Sequence, residues 1–205
     1  MLQAGIKDAG PAVLNLMESR QAKPSVVTYG VIMQALCRAD GQAELRSALS
    51  LLNELEARGV QTNSNLYTML IQAFLRGIPT TPFKRGASGR HPYMDVALGL
   101  RARMAERKIP PSRILQHAVI HAALSQRTHD GMRVAIDTFE DLRRDRTGSS
   151  PGEADSWYVM LKGLVDLQEW DRARVVLDQM RHDGFKVRSK PLGRLVDIVN
   201  SRRRV

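Results

Sequence analysis

Apolar residues recur along this chain at i, i+3, i+4 and i+7, the spacing that lines one face of an α-helix, and no stretch alternates with the period of two that a strand requires. The stripes come in pairs. Tyr29, Ile32, Met33 and Leu36 predict one helix, and Leu45, Ala48, Leu49, Leu52 and Leu55 predict its partner. Leu66, Leu70, Ile71 and Phe74 are followed by Val96, Leu100 and Met104. Val119, Ile120 and Leu124 are followed by Val134, Ile136, Phe139 and Leu142; Met160, Leu161 and Leu164 by Val175, Val176, Leu177 and Met180. A small residue recurs at matching places, Ala35, Ala73, Ala122 and Gly163 in first helices and Ala48, Ala97, Ala135 and Ala173 in second ones. Short side chains there predict close approach of helix backbones.

These pairs repeat in register. Twelve residues separate Met17 from Tyr29, Leu55 from Tyr67 and Met104 from Gln116, and fifteen separate Leu142 from Trp157. Self-similarity at this period predicts an array whose units bury their apolar faces against their neighbours. The breaks agree: Gly59 and Gly184 follow second helices, where a left-handed residue can end a helix, and Pro24 and Pro111 lie beyond the last turn. The expected organisation is a second helix of a partial repeat over 1–25, repeats over 26–63, 64–112, 113–153 and 154–188, and a C-terminal helix with a basic tail over 189–205. The second repeat carries a Pro-, Gly- and cation-rich insertion at about 75–94, read as an exposed loop. Because the chain opens in the middle of a unit, a preceding portion is expected.

Composition narrows the function. The 205 residues, 43% hydrophobic and 25% charged, suit a folded chain. The formal net charge of +10 favours an anionic partner, nucleic acid before membrane. Residues 81–110 concentrate it, with Lys84, Arg85, Arg90, Arg101, Arg103, Arg107 and Lys108 against Asp95 and Glu106. Arg202, Arg203 and Arg204 add to it at the end. Aromatic residues at 5% argue against a stacking platform of the sheet type. No apolar run is long enough to span a membrane. The single cysteine, Cys37, excludes an internal disulfide and is expected to be buried and inert.

Candidate chemistry is sparse. His117 and His121 share a helix face, but the general-base glutamate of a His-Glu-x-x-His site is Ala118 here and no third ligand is near, so no metal is expected. Asp137, Glu140 and Asp141 read as a solvated helix face. No glycine-rich phosphate loop follows a strand. The chain is therefore expected to be no enzyme, with no cofactor and no small-molecule substrate.

The segments VVTYGVIMQALCRADG at 26–41, ALSLLNELEARGV at 48–60 and WDRARVVLDQMRHDGF at 170–185 resemble pentatricopeptide repeats, with the family's threonine-tyrosine opening and its closing A-x3-L-x2-M-x3-G pattern. The tetratricopeptide alternative lacks its Trp-x2-Leu-Gly-x2-Tyr first helix. The resemblance implies an all-α, right-handed superhelical solenoid whose first helices line a concave surface for single-stranded RNA. It implies one base per repeat, read by a residue early in the first helix and another just before the next unit. By position these are Gly30 with Asn63, Thr68 with Ser112, His117 with Glu153, and Tyr158 with Arg188. Only Thr68 with Ser112 matches the family's usual choices. The base-flanking position holds Val27, Asn65, Ile114 and Asp155, and the phosphate position holds Arg38, Arg76, Ser125 and Asp166. Lys84, Arg85 and Arg90 of the insertion are added as phosphate contacts.

What the resemblance implies for function is RNA contact without catalysis. One expectation is a structural component of an organellar ribonucleoprotein such as the mitochondrial ribosome, touching ribosomal RNA and neighbouring protein subunits. The alternative is a transcript-binding adaptor in organelle RNA processing, stability or translation. A weaker third is a protein–protein scaffold in another organellar complex. The expected location is mitochondrial, with plastid as the alternative.

Overall fold

The computed structural model describes residues 13–17, 19–39, 41–78, 91–144 and 153–202. Among these no strand occurs, and after a helical stretch at 13–17 nine helices follow one another. They are α1 (Val26–Arg38), α2 (Gln42–Ala57), α3 (Ser64–Arg76), α4 (Pro92–Glu106), α5 (Arg113–Ser125), α6 (His129–Arg144), α7 (Glu153–Asp166), α8 (Trp170–His182) and α9 (Lys190–Ser201). The chain divides into two compact units, Met1–Ile78 with Pro92–Ser112, and Pro79–His91 with Arg113–Val205.

In the first unit α1 pairs with α2 and α3 with α4, and the two first helices, α1 and α3, lie side by side. In the second, α5 pairs with α6 and α7 with α8, while α5, α7 and α9 form the row of first helices. Each repeat's anchor is buried: Tyr29, Tyr67, Gln116 and Trp157 in first helices, Leu55, Met104, Leu142 and Met180 in second ones. Burial of such side chains, at roughly 1.5–3 kcal/mol each, is what holds neighbouring helices together.

The anchors of the second helices have a second task. The amide of Val60 donates to the Leu55 carbonyl at 3.2 Å, that of Ile109 to Met104 at 2.8 Å, and that of Phe185 to Met180 at 3.0 Å. This is the six-to-one hydrogen bond of a helix ended by a left-handed residue. Gly59 and Gly184 supply it as expected, with φ of 69° and 68°, but Lys108 does the same at φ 57° with no glycine to mark it. The twelve-residue spacing is thus a cap, a short non-helical segment and the next helix start.

Several packing expectations change. Ala48, Ala97, Ala135 and Ala173 are fully buried, whereas Ala35 is exposed, because no first helix precedes α1 among the described residues. Val175 is 57% exposed, since Ala173, Val176, Leu177 and Met180 define the inward face and leave Val175 beside it. The expected insertion at 75–94 is structured at both ends. Helix α3 continues through Leu75 and Arg76, Ile78 is buried, and α4 opens at Pro92 with Met94 fully buried. Phe74 and Tyr93 close that junction edge to face at 5.5 Å. Gly77 makes room for them, as a β-carbon there would stand 2.8 Å from the Tyr93 ring. Cys37 is buried.

Candidate nucleic-acid interface

The outer faces of the first helices carry the positions that the repeat pattern singles out. In the first unit, Val27 is 73% exposed and Asn65 is exposed at the matching place of α3. In the second, Ile114 is 71% exposed and Asp155 matches it on α7. All four precede a buried anchor by two residues, and a helix turns such a pair to opposite sides. The base-flanking position is therefore solvent-facing in each repeat, apolar in two and polar in two.

The reading positions stand one residue beyond the anchor and are half-buried. A β-carbon at Gly30 would lie 3.5 Å from Leu66 Cδ2, so the α1–α3 seam already fills that place. Thr68 is half-buried, and its hydroxyl has no hydrogen-bond partner among the described residues. His117 is committed: its Nε2 lies 2.8 Å from Ser156 Oγ across the α5–α7 seam. Burial holds its pKa below the ordinary value, with Arg113 acting in the same direction and Asp155 against it. Tyr158 is half-buried on α7.

The partners that precede each next unit are mostly helix starts. Asn63 is the N-cap of α3, its Oδ1 accepting the Leu66 amide at 3.1 Å. That bond satisfies one of the orphan donors of the first turn, a structural use of the same side chain. Ser112 is exposed immediately before α5, Glu153 is the first residue of α7, and Arg188 is exposed before α9. The structure brings Gly30 and Asn63 to one α1–α3 junction, where Leu66 meets both.

Of the phosphate positions, Arg38 is exposed at the end of α1. Arg76 is exposed too, yet its Nη2 donates to the Cys37 carbonyl at 3.2 Å, tying the end of α3 to that of α1. In the second unit, the Ser125 hydroxyl donates to the Ala122 carbonyl at 2.8 Å and Asp166 pairs with Lys162. Lys84, Arg85 and Arg90 lie outside the described residues.

Three side chains that shape these seams carry no repeat signature of their own. Ser156 holds His117; Glu56 accepts from the Tyr67 hydroxyl and pairs with Arg103 and Arg107; Arg143 lies 5.6 Å over the Trp157 ring. Burial and the Glu56 carboxylate push the Tyr67 phenol above its ordinary pKa. Among the described residues no three His, Cys, Asp or Glu side chains gather as metal ligands, and no helix is long and apolar enough to cross a membrane.

Helix hairpins stacked within each unit, with their ends capped and bridged at fixed positions, define an all-α helical-repeat protein. Its fold is that of a pentatricopeptide repeat protein. The chain matches a crystal structure described as the pentatricopeptide repeat protein PPR10 in complex with an 18-nt psaJ RNA element, with a TM-score of 0.56. A variant of that protein with three cysteines replaced by serine, in complex with the same RNA element, matches with a TM-score of 0.56 as well. Each is 21% identical to this chain and matches over 96% of it. The chain spans 27% of the length of those proteins. The sequence matches no family profile and no curated protein.

Proposed function

We propose that this chain is a non-catalytic protein that holds single-stranded RNA against its first helices, chiefly through the phosphate backbone. In this reading it serves as a structural component of an organellar ribonucleoprotein, with the mitochondrial ribosome as the assembly and protein subunits as further neighbours. The observation that carries it is the state of the reading positions. Gly30 offers no side chain, Asn63 caps a helix, His117 is held by Ser156, and Tyr158 with Arg188 departs from the family's usual choices, which leaves Thr68 with Ser112 as the pair suited to base readout. Four repeats with one such pair cannot address a transcript, since each well-read base contributes only about 1–3 kcal/mol. A protein that holds RNA without a code fits a fixed place in an assembly. The fold shared with an RNA-bound repeat protein supports the RNA, and the resemblance of the repeats to an organelle family supports the location.

Sedimentation of the endogenous protein in an organelle lysate tests this. Migration with a ribosomal subunit that survives high salt is the expected result. Release by ribonuclease as a small species instead favours the second reading, a transcript-binding adaptor, for which the Thr68 and Ser112 pair is the specific support.

A further inference from the structure

The ion pairs of the second unit are unevenly spent. Arg133, Arg143, Arg144, Lys162, Arg172, Arg174 and Arg181 each lie within 4.0 Å of a carboxylate: Asp130, Glu140 and Asp183, Asp141, Asp166, Glu169, Asp171 and Asp178 respectively. Every described Lys or Arg of that unit from Arg133 to Arg181 is thereby neutralised. Beyond Phe185 the pattern stops. Lys186, Arg188, Lys190, Arg194 and Arg202 are all exposed, none has a carboxylate partner among the described residues, and Asp197 is the one acidic residue among them.

Their placement makes them a surface. Between α8 and α9 the backbone is extended at Ser189, and Val187 lies against α9, its Cγ1 3.8 Å from where a β-carbon of Gly193 would stand. Lys186 and Arg188 flank Val187 in sequence and are both exposed. Lys190 opens α9, and Arg194 follows one turn later on the same face, about 6 Å along the axis. At the far end Arg202 is pinned: its carbonyl accepts from Arg174 Nη2 at 3.0 Å and its guanidinium lies 5.2 Å over the Trp170 ring. The outer face of α7, by contrast, carries Asp155 and Asp166 with Lys162 between them.

We propose that Lys186, Arg188, Lys190 and Arg194 form a sequence-independent RNA phosphate-binding surface, in which Arg188 serves phosphate and not a reading pair with Tyr158. Unpaired exposed cations bind by releasing counterions from a phosphate chain, and this needs neither base contacts nor aromatic stacking. The surface gives the strand a hold beyond α7, whose outer face offers Asp155 and the Lys162–Asp166 pair in place of free cations. This inference rests on the RNA-holding function proposed for the chain.

The test is binding of a fluorescent single-stranded RNA to the purified chain across a salt series. The subject is a variant with Lys186→Gln, Arg188→Gln, Lys190→Gln and Arg194→Gln combined. The control removes the same charge from exposed cations without carboxylate partners elsewhere, Arg20→Gln, Lys23→Gln, Arg46→Gln and Arg127→Gln. Matching circular dichroism melts establish that both fold. The expected result is an affinity loss on the order of tenfold or more for the first variant, with a much smaller change in the control. Its salt slope is expected to be shallower by about 0.7 for each phosphate no longer neutralised. Equal losses in both variants reduce the effect to net charge and overturn the surface. Unchanged RNA binding with lost binding to polyglutamate also overturns it, in favour of an acidic protein partner. If the wild-type chain binds no RNA at low salt, the RNA-holding function falls together with this surface; binding by the wild type and the variant alike removes the surface alone.

Discussion

Arg143 stands in its repeat where Glu56 stands in an earlier one, one residue beyond the buried anchor of the second helix, and the two carry opposite charge in the same role. Each reaches across to the next repeat. Glu56 accepts from the Tyr67 hydroxyl and pairs with Arg107 at 3.2 Å; Arg143 lies over Trp157 and pairs with Asp183 at 3.0 Å. Tyr67 and Trp157 are equivalent anchors, and Arg107 and Asp183 equivalent positions three residues past Met104 and Met180. The repeat interface thus keeps its geometry while its polarity inverts.

That interface is largely desolvated, with Arg143 21% and Asp183 11% exposed, and it holds two guanidinium nitrogens on one carboxylate. Arg143→Leu is expected to destabilise the chain by about 2 kcal/mol, the scale of hydrogen bonds to charged groups. In a double-mutant cycle with Asp183→Asn under urea, coupling of about 1 kcal/mol or more is expected. Additive effects would mean that the pair only decorates the interface.

Lys108 ends α4 in the left-handed conformation that glycine adopts at the ends of α2 and α8. For a residue with a β-carbon this costs roughly 1–2 kcal/mol. Lys108→Gly is therefore expected to raise stability by about 1 kcal/mol, although glycine adds freedom to the unfolded chain. A lowered melting temperature would show that the lysine side chain contributes more than its backbone conformation costs.

Gly131 lies buried in the first turn of α6. A β-carbon there would meet the Ala123 carbonyl oxygen at 2.3 Å, a backbone atom that cannot step aside cheaply. Helix propensity alone favours alanine by about 1 kcal/mol. Gly131→Ala is expected to reverse that sign and destabilise by about 1–3 kcal/mol, as overpacking does, measured by thermal melting.

His117 supplies a pH dependence. Its pKa is lowered in the folded state by burial, so the unfolded chain binds the proton more readily. The stability it contributes is complete above its ordinary pKa of about 6.5 and is lost as pH falls from there toward the folded value. Between about pH 7.5 and about 5.5 the wild type is expected to lose more melting temperature than His117→Gln. Parallel curves for the two would sink the idea.

The repeats were legible because they answer to local rules. Period-3.6 stripes, the glycines after α2 and α8 and the twelve-residue spacing all follow from how one helix buries a face and how its end is satisfied. The helix order and the buried anchors matched those marks. The seams were not legible. Nothing local distinguishes Asn63 as a cap from Asn63 as a reader, or Arg76 facing phosphate from Arg76 on the Cys37 carbonyl, because the partner atoms arrive from other helices. The same holds for His117 and Ser156, 39 residues apart. Sequence alone determined that this chain is an array of helix pairs with a cationic excess, since periodicity and charge are written residue by residue. Tertiary structure decided which cations remain unpaired and which side chains bind one another, since a charge or a hydrogen bond is spent only when packing brings its partner within reach.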